Sequence, residues 1–121
     1  MKTKQDQIDP QLERDTLRLL CSVLIQPVTR VEIARLLDAS LFQEAVHRVL
    51  FEEIRSIGAV SSPKLRELLP GQITLRGFPD FDLTEFLSPD FVSAAEIEKL
   101  FASVLGMIEV RHREDEKVLE N

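Results

Sequence analysis

Cysteine, glycine, basic runs and long apolar runs are all scarce in this chain, and each scarcity removes a class of protein. The single cysteine, Cys21, has no partner for an internal disulfide. It stands in the apolar run Leu19-Leu20-Cys21-Ser22-Val23-Leu24-Ile25, where a small buried thiol fits, so a reducing cytoplasm is the expected compartment. With only 4 glycines there is neither a GxxxxGK[ST] phosphate loop nor a GxSxG nucleophile elbow, which excludes a hidden nucleotide-driven motor. The net charge of −6 and the lack of a Lys/Arg-rich stretch argue against direct nucleic-acid binding. No apolar stretch reaches the about 18 residues that a membrane span requires, and the polar start Met1-Lys2-Thr3-Lys4-Gln5-Asp6 is unlike a signal peptide.

What remains is an ordinary globular composition, with 44% hydrophobic and 30% charged residues over 121 positions. A chain of that length can bury roughly two-thirds of its unfolded surface in one core. Its helix punctuation is legible. Asp9-Pro10 reads as an N-cap followed by proline at the first helical position, where the missing N–H is harmless. Leu12, Thr16, Leu19, Leu20, Val23 and Leu24 then share one face until Pro27, which predicts a helix over 10–26. Thr29-Arg30-Val31-Glu32 and Ser40-Leu41-Phe42-Gln43 fit capping boxes opening a second helix, through Leu37, and a third that closes at Gly58. The third carries apolar side chains over a wide arc and is expected at the centre of the domain. Ser62-Pro63 opens a fourth helix that Pro70-Gly71 should stop, and Gln72 to Arg76 alternates in polarity without a strand to pair with. Residues 71–91 are irregular apart from a short turn at Leu83 to Leu87, and Ser93-Ala94-Ala95-Glu96 caps the longest helix. The expectation is an all-α fold, an orthogonal globular domain of five to six helices with a long C-terminal helix. Residues 10–108 form the domain, 1–9 a flexible tail and 109–121 a solvated extension. The expected core includes Leu20, Val23, Phe42, Val46, His47, Leu50, Phe51 and Ile54.

No catalytic constellation is visible. His47, His112 and Cys21 lie far apart with no ligand spacing among them, so no metal or cofactor is expected, and His47 reads as a core residue. Asp80-Phe81-Asp82 offers two carboxylates, but Asp82 is better explained as the N-cap of the turn that follows it. Two features point to binding. Phe78 and Phe81, with Phe86 and Phe91 close behind, crowd one irregular stretch, either as exposed anchors or as pins holding the loop to its own core. Ile97, Phe101, Val104 and Ile108 alternate four and three apart like a coiled-coil seam, which suits packing on the chain's own domain or on a second copy in a homodimer.

The segment Phe42-Gln43-Glu44-Ala45-Val46-His47-Arg48-Val49-Leu50-Phe51 resembles one in the N-terminal domains of bacterial replicative (DnaB-type) helicases. There a Phe is followed, after four residues, by His-Arg, any residue, an aliphatic and a Phe. Leu19 to Pro27 is similar to that domain's first-helix run, Ile33 to Leu37 to its second helix and Leu65 to Leu69 to its fourth, so the resemblance spans about residues 16–105. The acidic residue that the family carries ahead of the first run is replaced near Thr16, and the linker and RecA-like motor are absent. The helicase-binding C-terminal domain of bacterial primase has a similar fold. What the resemblance implies is a helical globule without chemistry of its own, which self-associates and is contacted by helicase, primase or loader proteins in DNA replication. A small acidic regulatory adaptor, for example in transcription control, is the alternative, with residues 29–57 read as a helix-turn-helix. Against it, residues 41–57 set only His47, Arg48 and Arg55 against Glu44, Glu52 and Glu53.

Overall fold

The computed structural model describes residues 9–87 and 93–120, the side chains of 94 and 111–120 excepted. The expected tail over 1–9 and Phe91 therefore lie largely or wholly outside the described residues. The fold is all-α, and the described residues contain no strand. Its helices are α1 (Pro10–Cys21), α2 (Pro27–Leu36), α3 (Ala45–Ile57), α4 (Ser62–Leu75), α5 (Thr84–Leu87) and α6 (Ala94–Glu120), with a 3-10 turn at Ala39–Leu41.

Asp9 caps α1 as expected, accepting a hydrogen bond from the Leu12 N–H at 3.0 Å with Pro10 at the first helical position. The helix ends five residues early, at Cys21, because Ser22 turns extended and its Oγ accepts from the Leu24 N–H. A serine that can bond its own neighbourhood competes with helix continuation. This corrects the core assignment of Val23, which falls in the turn and is 46% exposed. Helix α2 begins at Pro27 with Gln26 as its N-cap, not at Thr29, and no side chain caps it. The expected Ser40 box also fails. Asp38 takes the Ser40 N–H, the chain makes a 3-10 turn, and α3 starts only at Ala45.

Helix α4 runs straight through Pro70 and Gly71 to Leu75. An interior proline costs about 3 kcal/mol, yet Leu65, Leu69 and Ile73 recur every four residues and are all but fully buried. Keeping Ile73 in that stripe outweighs the break. The stop comes at Gly77, whose φ of 102° is a conformation that glycine adopts without strain. Its N–H bonds the Thr74 carbonyl and the Phe78 N–H the Ile73 carbonyl, the paired closure of a Schellman motif. Gly58, also at positive φ, closes α3 as its sequence position predicts.

Helices α1 and α3 share the centre: α1 packs against α3, α4, α5 and α6, and α3 packs also on α2 and α4. Phe42 and Phe51, both fully buried, set their rings 5.0 Å apart, with Leu17, Leu20, Leu50 and Ile54 around them. Val46 is only half-buried. Cys21 is fully buried, and burial pushes its thiol up from an ordinary 9.0 to about 12. At pH 8 the thiolate available to iodoacetamide is thereby reduced about a thousandfold. Alkylation of the native chain should follow unfolding and rise to the free-thiol rate in urea; fast native modification would contradict the burial. Since the unfolded thiol ionises first, this group's share of stability is intact below pH 9 and is lost as the pH climbs toward about 12.

Candidate functional site

The most concentrated polar group in the interior is built around Glu13, on the first full turn of α1. It is 1% exposed. Its Oε1 accepts from the Gln43 N–H at 2.6 Å, and its Oε2 accepts from the Glu44 N–H at 3.3 Å. His47 Nδ1 stands 2.5 Å from the same Oε2. The carboxylate therefore does from α1 what a local capping side chain does at other helix starts, satisfying the amides that lead into α3 and placing a negative charge at its positive end. An acceptor there fixes the imidazole hydrogen on Nδ1. The other flanks of His47 are aromatic: Phe81 and Phe86 meet it edge-on at centroid distances of 6.1 and 5.8 Å, and the two rings stack on each other.

His47 is thus a core residue as expected, but its partner was missed. Glu13 lies 3, 4 and 7 residues before Thr16, Leu17 and Leu20, all fully buried, and a carboxylate in register with a buried stripe is the signal that could have found it. The expectation that no metal-ligand group assembles holds along the chain but not in space. One ligand atom each of Glu13, Glu44 and His47 lie within 4.8 Å of one another, Glu44 being exposed. Binding an ion there would take Glu13 from two amides and deprotonate His47 Nδ1, so the donor set as folded serves the helix start rather than a cation.

A second buried charge, Arg30, is 1% exposed and has no carboxylate partner among the described residues. Its Nη1 donates to Ser62 Oγ at 3.0 Å and its Nη2 to the Gly58 and Val60 carbonyls, while Ser62 Oγ donates to the Ile25 carbonyl. The guanidinium ties α2 to the loop between α3 and α4. Burial pulls its pKa below the ordinary value, with only Cys21 acting in the other direction.

The two candidate binding features are largely turned inward. Phe86 is 4% exposed, and Phe78 and Phe81 are half-buried against the core, so these rings pin their loop. Asp82 caps α5 by accepting from the Thr84 N–H, and hydrogen bonding by the Thr84 side chain first and this N–H second holds its carboxyl below the usual range. Asp80 is exposed. In α6, Leu100, Val104 and Ile108 are buried and the helix packs on α1 of the same chain, with Ile97 and Phe101 half-buried beside them. Val104 and Ile108 are therefore unavailable to a twin. Ser93 caps α6, but Glu96 reaches Arg18 of α1 at 3.0 Å instead of completing the box.

Comparison with known protein families, with curated proteins and with solved structures finds no match to this chain.

Proposed function

We propose that the chain is a non-enzymatic, cytoplasmic module for self-association and protein docking, of the kind at the N-terminus of bacterial replicative helicases, and that it serves DNA replication. The observation that carries the docking half is an aliphatic corner between α1 and α2, where Val23, Leu24 and Val28 are 46%, 51% and 66% exposed within six residues. Neighbouring exposed aliphatics, unlike scattered single ones, mark interaction surfaces. The replication half rests on the Phe42 to Phe51 segment. Its Phe42, His47 and Phe51 lie in the core and its Arg48 donates to the Phe42 and Gln43 carbonyls at the start of α3. The transcription-adaptor reading is weaker, because a recognition helix presents its N-terminal residues to base edges, whereas the start of α3 is held by the buried Glu13.

The test is sedimentation over a concentration series, with replicative helicase, primase and loader added in turn. The apparent mass should rise with concentration or with one of these partners. Leu24→Glu/Val28→Glu should weaken that association by about tenfold or more, since a charge must be desolvated in the contact, and should leave the melting temperature nearly unchanged. A wild-type monomer indifferent to concentration and to all three partners removes the proposal.

A further inference from the structure

Between α2 and α3 lies a cavity of about 220 Å³ lined by Arg30, Val31, Ala34, Arg35, Ile54 and Arg55. Three of the six are cations, in a chain whose net charge is −6. The acidic residues nearest to them in sequence, Glu32, Asp38, Glu52 and Glu53, are not part of the lining; Asp38 accepts from the Ser40 N–H, and Arg76 holds the last two at 2.7 and 2.6 Å. Arg14, Arg18 and Arg76 each engage a glutamate, but Arg35 and Arg55 form no ion pair among the described residues. The third cation, Arg30, is buried in the cavity wall, and its Nε has no hydrogen-bond partner. Between these charges the surface is aliphatic, with Ala34 2% and Ile54 1% exposed.

Uncompensated guanidinium groups around an apolar floor are a lopsided arrangement. Arginine's planar fork suits a carboxylate or a phosphate equally, so the remainder of the cavity decides between them. No aromatic ring is present for a base to stack on, and the aliphatic floor of Val31, Ala34 and Ile54 offers a sugar or phosphate no polar partner. A single aliphatic side chain fits the floor. We infer that this cleft binds an acidic segment of a partner protein, seating one aliphatic side chain on Val31, Ala34 and Ile54 while flanking carboxylates meet Arg35 and Arg55. The inference rests on the docking reading above and gives it a partner chemistry, at a site separate from the Val23 to Val28 corner.

The probe is the pentapeptide acetyl-Glu-Asp-Leu-Asp-Glu-amide, titrated into the ¹⁵N-labelled full chain and followed by amide chemical shifts. Two control peptides replace the acids by Gln and Asn, or the central Leu by Ser. The acidic peptide should move the amides of residues 30–35 and 54–55 at millimolar concentration, and each control should bind at least tenfold more weakly. Arg35→Ser/Arg55→Ser should weaken the acidic peptide at least tenfold while the melting temperature stays put, since both side chains are exposed. Leu24→Glu/Val28→Glu should bind the peptide as well as wild type does, so that loss of self-association and loss of this site are read separately. Absence of shifts, equal binding of the neutral peptide, or stronger shifts of the same amides by inorganic phosphate or oligothymidylate overturns the inference.

Discussion

Replacing Glu13 with alanine should lower the stability of the fold by about 3 kcal/mol, the loss expected when one buried carboxylate that serves three hydrogen-bond donors is removed. The magnitude follows from what the carboxylate holds. Two part-buried backbone amides at the entry to α3 and the buried Nδ1 of His47 all point at its oxygens, and the next carboxylate oxygen, on the exposed Glu44, stands 3.6 Å from Nδ1, beyond hydrogen-bond distance. A buried donor left without a partner costs about 1–3 kcal/mol, which applies in full to His47 Nδ1, and the two part-buried amides add to it. Glu13→Gln keeps the volume and one acceptor oxygen but turns an N–H₂ toward a donor, so its loss should be smaller. The measurement is urea unfolding followed by circular dichroism, read as a shift of midpoint at constant slope. Asp15→Ala is the control: two residues away on α1, half-buried and paired with Arg18 at 3.3 Å, it should cost no more than about 1 kcal/mol. A double-mutant cycle with His47→Ala then isolates the pair, and additivity of the two losses would show that carboxylate and imidazole do not act together.

The same residue shows where sequence reading stops. Asp9, Gly58, Asp82 and Ser93 were legible because each cap signal acts on its own neighbours within three residues. The signals at Thr29 and Ser40 had the right pattern and were outcompeted locally, one by Pro27 at a helix start and the other by Asp38. Pro70 was overruled by tertiary packing, since Ile73 had to reach the core. Glu13 and Arg30 were invisible for a different reason. Their partners lie 28 to 34 residues away, and short-range spacing cannot distinguish a charged side chain aimed inward at backbone groups from one aimed at water. His47 was therefore placed correctly without its partner. The α6 seam has a spacing that suits a twin as well as α1, and only the packed fold shows α1 covering Val104 and Ile108.

The second large effect is expected at Arg30, where two opposed terms decide the sign. Burying a guanidinium without a carboxylate carries a desolvation penalty, and removing the charge relieves it. Against that, Arg30→Ala takes donors from the Gly58 and Val60 carbonyls and from Ser62 Oγ, and leaves a cavity where the side chain lay. Three stranded acceptors and a void together cost about 3–4 kcal/mol, which exceeds the relief because the guanidinium retains its strong bonds to the carbonyl dipoles. Arg30→Met restores most of the volume without the donors and should lose about 1–2 kcal/mol, so the Ala–Met difference measures packing and the Met loss measures the hydrogen bonds. Arg30→Lys, a point charge without the planar fork, cannot span all three acceptors and should fall below wild type as well. Since this side chain joins α2 to the loop that leads into α4, hydrogen exchange in the Met variant should quicken over residues 58–61 before it does in the α1–α3 centre. A Met variant as stable as wild type would mean that desolvation of the charge dominates and that the three bonds at this corner add nothing net to the fold.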